Sequence, residues 1–345
     1  MAITPQALFA DPALFLYELD ESFAVFQPMT RQDIARSIFL DGRIRHGGRK
    51  SFRVPIPQLA EAYRQVAPPR RPLGWIFHVA QCGSTLLARA LDHPGRSLVL
   101  REPAALRRLG VAAGGEGNLP AQSRDVLPVV RDLLAKRWEE DRPAIIKATV
   151  PVNFIAHDLM AMEPDAPAMI LHFPLANYVA AIMRTPGHVD WTERVFGELR
   201  LGQTALCQEI STKDPAQKAA ALWFFQMKRF EALVDAFRNV RSLDAARLFD
   251  DPIPVIDAAA RLFGVEMEPG EVEAIAASEL FHSYSKNPAL DYDPDVRTAR
   301  EAEAMARLAP EIDAAREWVA AASARDALPE ALGKPLVGEA VSLLG

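Results

Sequence analysis

A repeated alternation of short apolar runs with helical patterns constrains the fold of this chain more than any other feature. The run from Trp75 to Ala80 is followed by a turn and then by apolar residues at helical spacing. Four similar runs lie further along the chain, at 97–100, 144–146, 168–171 and 240–243. Short runs that alternate with helices are typical of a parallel sheet covered on both faces. The sequence therefore predicts an α/β fold with a central parallel sheet and flanking helices, in which ligands bind at the carboxyl ends of the strands.

The sequence before and after these alternating runs predicts that the chain has three parts. Two apolar runs around a polar turn at 14–29 predict a hairpin, and Thr30 with Asp33 indicates a capped helix behind it. A basic, proline-rich stretch at 67–72 indicates a linker. Helical additions are predicted at 216–237, 254–263, 269–280 and 296–322. We expect an N-terminal extension (1–72) that packs on the main domain, the main α/β domain (73–325) and a C-terminal tail (326–345).

The charge balance limits the kinds of partner that the chain can have. Asp and Glu total 45 against 39 Lys and Arg, a formal net charge of −6. This is the wrong sign for binding along nucleic acid or an anionic membrane surface, but it is compatible with a local basic pocket. The start carries no signal-peptide pattern and no run approaches the roughly 20 apolar residues of a membrane span, so we expect a cytoplasmic protein. The two cysteines and seven histidines show no ligand spacing, so no metal is expected. The oligomeric state is left open.

The turn after the first apolar run carries the residues best suited to bind an anion. A strand–turn–helix junction directs backbone N–H groups towards one point, with the positive end of the helix dipole behind them. It is not a Walker A loop, because that motif would place Gly at His78 and Lys at Ser84. An alternative is that the hydroxyls in this turn merely cap the helix. The residues predicted to contact a phosphate are Gln81, Cys82, Gly83, Ser84, Thr85 and Leu86.

The same turn resembles the 5′-phosphosulfate loop of bacterial sulfotransferases, which commonly carry Ser-Gly-Ser-Thr-Leu-Leu after a basic turn. Residues 82–87 match five of these six positions. Four further stretches are similar to family segments, namely 37–43, 100–103, 242–264 and 285–288. The resemblance implies a P-loop-like fold. It also implies transfer of a sulfuryl group from 3′-phosphoadenosine 5′-phosphosulfate (PAPS) to a hydroxyl or amine of a small acceptor.

Two departures from the family pattern concern the donor. Gln81 stands where the family has a basic residue in the turn. The triplet that begins at His172, together with Ala180, stands where the family has Arg-Asx-Pro and a serine for the 3′-phosphate. Either His172, with a pKa near 6.5 or higher, and another cation such as Arg184 bind that phosphate, or the donor is lost or changed. A degenerate, non-catalytic nucleotide-binding protein is therefore one alternative.

The resemblance places a carboxylate, Glu102, just past the second strand, where it would accept the proton of the acceptor group. The alternative is a solvated cluster in which Glu102 pairs with nearby arginines (Arg101, Arg107 and Arg108). His78 is a second candidate base, although a histidine inside an apolar strand is more often buried and structural.

Two lysines are candidates for neutralising the charge that develops on the departing phosphate. Lys147 ends the third apolar run, and Lys286 lies in a late polar loop. Cys82 would be a nucleophile only with a His-Asp partner, and no such pair follows it recognisably. A second enzymatic alternative is an atypical P-loop phosphotransferase, against which the missing Walker lysine counts.

Overall fold

The computed structural model describes residues 3–44, 48–210, 212, 214–284, 287–291 and 303–345. The N-terminal extension contains a three-stranded antiparallel sheet, with the predicted hairpin as its first two strands. The Thr30–Asp33 capping box is also present. The elements of this extension are α1 (Pro5–Ala10), β1 (Leu14–Leu19), β2 (Phe23–Pro28), α2 (Arg31–Arg36), β3 (Phe52–Pro55) and α3 (Ile56–Val66).

A five-stranded parallel sheet forms the centre of the molecule, in the order β5-β6-β4-β7-β8. All five strands coincide with the predicted apolar runs, so the α/β prediction is confirmed. The first four strands are buried at every position, which explains why the sequence shows continuous runs rather than alternation. The strands are β4 (Gly74–His78), β5 (Leu98–Arg101), β6 (Ala144–Lys147), β7 (Ala168–His172) and β8 (Val240–Asp244).

Helices connect the strands of this sheet, and a separate short antiparallel pair follows α15. The helices are α4 (Ser84–Ala90), α5 (Ala104–Ala113), α6 (Ala121–Leu134), α7 (Ala156–Ala161), α8 (Leu175–Met183), α9 (Pro186–Glu198), α10 (Ala205–Glu209), α11 (Pro215–Ala236), α12 (Ala246–Asp250), α13 (Pro252–Phe263), α14 (Glu271–Ala276), α15 (Glu279–His282) and α16 (Ala309–Ser323). Two 3₁₀ turns span Val150–Ile155 and Leu201–Gln203, and the antiparallel pair is β9 (Ser283–Tyr284) with β10 (Asn287–Asp291).

Local capping explains where several of these helices begin and end. The Asp214 side chain accepts a hydrogen bond from the Gln217 amide at 2.9 Å, and a proline opens α11. Gly264, with φ 71°, ends α13. The helix predicted at 269–280 is instead two short helices, α14 and α15, and the one predicted at 296–322 is described only from residue 303 onwards.

The C-terminal residues extend the sheet beyond β8. The Ser242 amide donates to the Lys334 carbonyl at 3.0 Å, and the Leu336 amide donates to the Ser242 carbonyl at 2.7 Å. These bonds cover an edge that would otherwise expose unpaired backbone groups. In the part of the chain that the structure describes, no helix combines the length and apolarity needed to cross a membrane.

Candidate active site

A cavity of about 280 Å³ opens at the carboxyl ends of β4, β5, β6 and β7. His172 does not line it. Lys286 lies outside the described residues. The sequence-predicted site residues that line the cavity are His78, Gln81, Cys82, Gly83, Ser84, Thr85, Leu86, Glu102, Lys147 and Arg184.

The turn between β4 and α4 has an unusual backbone. Gln81 and Gly83 both lie in the left-handed region, with φ 62° and 76°. A Cβ atom at Gly83 would lie 2.5 Å from Cζ of the Phe249 ring, so only glycine fits both this conformation and this contact. Any substitution of Gly83 would therefore disturb the packing of this turn.

Two residues with hydroxyl side chains line the cavity at the start of α4. Ser84 is 5% exposed and Thr85 is 4% exposed. Neither hydroxyl has a hydrogen-bond partner among the described residues, and the helix has no side-chain cap at Gly83. The helix-cap alternative is therefore wrong. Both hydroxyls are therefore free to donate hydrogen bonds to a ligand in the cavity.

Cys82 contributes to the cavity wall through the turn rather than through a reactive thiol. Its side chain is fully buried, and Sγ donates to the Val79 carbonyl at 3.0 Å. This hydrogen bond closes the turn from inside. Cys82 is therefore not placed as an attacking nucleophile.

Glu102 and Lys147 form an ion pair in the cavity wall. Parallel pairing of β5 with β6 sets Arg101 beside Lys147, and the Glu102 amide donates to the Lys147 carbonyl at 2.8 Å. The Lys147 side chain is 1% exposed and that of Glu102 is 20% exposed, so the carboxylate is the member of the pair that a ligand can reach. Glu102 has φ 57°, a conformation that side-chain-bearing residues seldom adopt and that occurs often at functional sites.

The solvated cluster of Glu102 with neighbouring arginines does not form. The Arg101 guanidinium is buried and binds Asp92, Arg107 pairs with Glu198, and Arg108 pairs with Glu21. Each of these arginines pairs with a carboxylate other than Glu102.

His78 is held between backbone carbonyls. Its Nδ1 lies 2.8 Å from the Val79 carbonyl oxygen, and its Nε2 lies 2.7 Å from that of Ala148. Burial and the nearby Lys147 ammonium lower the pKa of His78 to about 3. A neutral imidazole carries one N–H and donates to one of these two carbonyls, while its other nitrogen faces the second carbonyl oxygen. Neither nitrogen is open to the proton of a substrate, so His78 is better placed to fix the turn.

The region expected to hold a 3′-phosphate differs from expectation. His172 is 2% exposed, and burial lowers its pKa to about 4 instead of the expected value near 6.5, so the imidazole is neutral at pH 7. Because successive strand residues face opposite ways, Phe173 lines the cavity where His172 does not. Arg184 lines the cavity, is exposed and forms no ion pair with any residue that the structure describes. A second phosphate on this side would therefore meet Arg184 rather than His172.

The segment 37–44 lies at one end of the cavity, a position that its sequence does not predict. The Leu40 amide donates to the Arg101 carbonyl at 2.7 Å, and the Ala104 amide donates to the Leu40 carbonyl at 3.1 Å. This holds Phe39 and Arg43 in the cavity wall, with the Arg43 guanidinium carbon 4.0 Å from the centre of the Phe39 ring. The signal in the sequence was the weak similarity of 37–43 to the family, but no local pattern indicated where the segment would pack.

Comparisons with known proteins gave similarity at the level of structure alone. No family model matches the chain, and no curated protein matches it. A sulfotransferase from Alicyclobacillus acidocaldarius is similar at 18% identity and a TM-score of 0.39, over 74% of this chain and 96% of that one. The sulfotransferase domain from the curacin biosynthetic pathway is similar at 14% identity and a TM-score of 0.37, over 67% and 87% of the two chains. Sulfotransferase STF1 from Mycobacterium tuberculosis H37Rv is similar at 16% identity and a TM-score of 0.38, over 71% and 82%.

Proposed function

We propose that this protein transfers a sulfuryl group from PAPS to a hydroxyl or amine of a small acceptor. The observation that carries the proposal is the pair of hydroxyls of Ser84 and Thr85, which have no partner among the described residues and line the same cavity as the Glu102–Lys147 ion pair. The hydroxyls belong to the stretch 82–87 that resembles the phosphosulfate loop. An anion-binding loop and a carboxylate base are the two groups that this reaction requires of the protein.

The cavity wall has a charge that suits a donor with several negative charges. Arg43, Lys147 and Arg184 are cationic and Glu102 is anionic, a balance of three against one among the described lining residues. The Ser84 and Thr85 hydroxyls would donate to oxygens of the 5′-phosphosulfate. Charge-assisted hydrogen bonds of this kind are stronger than neutral ones and position the group that is transferred.

Glu102 would act on the acceptor. Its carboxylate takes the proton of the acceptor hydroxyl or amine as the new bond to sulfur forms, while the bond between sulfur and the 5′-phosphate oxygen breaks. The electron pair of that bond leaves with adenosine 3′,5′-bisphosphate. Once Glu102 is protonated, the Lys147 ammonium loses its anionic partner and becomes available to the phosphate on which negative charge has developed.

A specific observation favours a second candidate, a nucleotide-binding protein without turnover. His172 is neutral and buried, and Phe173 and Ala180 supply an apolar wall where the family places its 3′-phosphate groups. This candidate shares the anion site at the loop but predicts no transfer to any acceptor. The phosphotransferase alternative has less support, because Ser84 stands where a Walker loop has its lysine.

The loop assignment is tested by calorimetry with adenosine 3′,5′-bisphosphate. We expect Ser84→Ala and Thr85→Val each to weaken binding about ten- to hundredfold, because a hydrogen bond to a charged oxygen contributes roughly 1.5–3 kcal/mol. Ser323→Ala and Thr192→Val are matched controls, since they remove buried hydroxyls that lie outside the cavity lining and have no partner among the described residues. Failure of the unaltered protein to bind, or equal losses in the controls, would overturn the assignment.

A further inference from the structure

The parallel ladder between β4 and β6 stops just before the anion-binding loop. The Ala148 amide donates to the Ile76 carbonyl at 2.9 Å, the last bond of this ladder. In a parallel pair the next bond would join the His78 carbonyl to the amide two residues beyond Ala148. The chain instead turns into the 3₁₀ segment Val150–Ile155. The His78 carbonyl, immediately before the turn, therefore needs another donor.

The side chain of Asn153 supplies that donor. Its Nδ2 donates to the His78 carbonyl at 3.0 Å and to Oε1 of Gln226 at 2.8 Å. The two acceptors use both N–H bonds of the amide. Asn153 is 1% exposed and Gln226 is fully buried, so water does not compete for these bonds.

Gln226 connects this contact to the longest helix of the protein. Its own Nε2 donates to the Leu222 carbonyl at 3.0 Å, one turn earlier in α11. The orientation of Gln226 is fixed by that bond, and Gln226 in turn fixes the orientation of Asn153. A chain of buried hydrogen bonds thus runs from α11 through Asn153 to the last residue of β4.

We infer that Asn153 is a positioning residue for the anion-binding loop. It substitutes for the missing ladder partner of His78 and so sets where residues 79–86 leave the sheet. This role rests on the proposed function in one respect, that the loop binds the donor. The hydrogen bond from Asn153 to the His78 carbonyl is present without ligand. The side chain at this position must donate a hydrogen bond, because the His78 carbonyl can only accept one. An apolar side chain here would leave that carbonyl unpaired.

Two backbone amides report on the loop in the ligand-free protein. The Val79 amide donates to the Leu171 carbonyl at 3.0 Å, and the Leu87 amide donates to the Gly83 carbonyl at 3.2 Å, so they bracket the turn. The Trp75 amide, which donates to the Pro167 carbonyl at 3.0 Å, lies at the other end of β4 and serves as an internal reference. We expect Asn153→Leu to raise hydrogen exchange at Val79 and Leu87 about tenfold relative to Trp75, as local opening replaces a lost buried bond.

A second variant keeps the inference testable if Asn153→Leu does not fold. Gln226→Leu leaves the hydrogen bond from Asn153 to His78 but allows the Asn153 side chain to rotate. It should therefore raise hydrogen exchange at Val79 and Leu87 by less than Asn153→Leu does. Equal increases at Trp75, or no increase at Val79 and Leu87 in either variant, would overturn the inference. Calorimetry on the same variants should show several-fold weaker binding of adenosine 3′,5′-bisphosphate. If the unaltered protein binds none, the proposed function fails while the exchange measurement still decides the role of Asn153.

Discussion

Replacing Glu102 with glutamine is expected to lower turnover by about 10²–10⁴-fold, the range typical of lost general base catalysis, while affinity for adenosine 3′,5′-bisphosphate changes little. The amide keeps the shape of the side chain and still offers an oxygen to the Lys147 ammonium, but it cannot take the acceptor proton. Single-turnover release of the bisphosphate from PAPS, with an acceptor found by screening phenols, alcohols and amines, measures the effect.

A matched control separates base catalysis from general loss of charge. Glu198 pairs with Arg107 outside the cavity lining, so Glu198→Gln should leave turnover unchanged. His78 is held by two carbonyls and is not expected to act as the base. Full turnover in Glu102→Gln would contradict the assignment and would leave the cavity without its expected base.

Glu102→Leu is expected to lower the free energy of unfolding by about 3 kcal/mol, because it leaves the buried Lys147 ammonium without its carboxylate. The expected loss lies at the lower end of the range for buried pairs, since Glu102 is partly exposed. Adding Lys147→Met removes the stranded charge and should recover most of the loss. Urea unfolding at pH 7 of the two single variants and the double variant measures the coupling between the residues.

Additive effects of the two single substitutions on the free energy of unfolding would contradict this prediction. If the two single changes simply add, the ion pair contributes nothing to stability, and Lys147 is neutralised in some other way. The backbone conformation at Glu102 does not confound the comparison, because glutamate and leucine meet the same steric cost in the left-handed region.

The sheet could be predicted because its strands are short and buried on both faces. Such strands appear in the sequence as isolated apolar runs between turns, and each of the five predicted runs is a strand. The segment 37–44 could not be predicted in the same way. It is held by backbone bonds to Arg101 and Ala104, and these contacts leave no periodic pattern in the sequence.

The sequence predicts which strand ends carry most of the candidate residues, but it does not predict their pairings. The loop 81–86, Glu102 and Lys147 all line the cavity, as expected of residues that follow parallel strands. The register that sets Arg101 beside Lys147, and so joins Glu102 to the lysine 45 positions away, is a property of the sheet. The direction of the His172 side chain could not be predicted from the sequence. Neighbouring strand residues face opposite sides, so a shift of one position decides whether a side chain faces the cavity or the core.

The most direct test of the central claim is a crystal structure of the protein soaked with adenosine 3′,5′-bisphosphate. We expect oxygens of the 5′-phosphate to lie within hydrogen-bond distance of the Ser84 and Thr85 hydroxyls, with the 3′-phosphate on the side of Arg184. A bisphosphate bound elsewhere, or bound in the cavity with its 5′-phosphate away from both hydroxyls, would contradict the account.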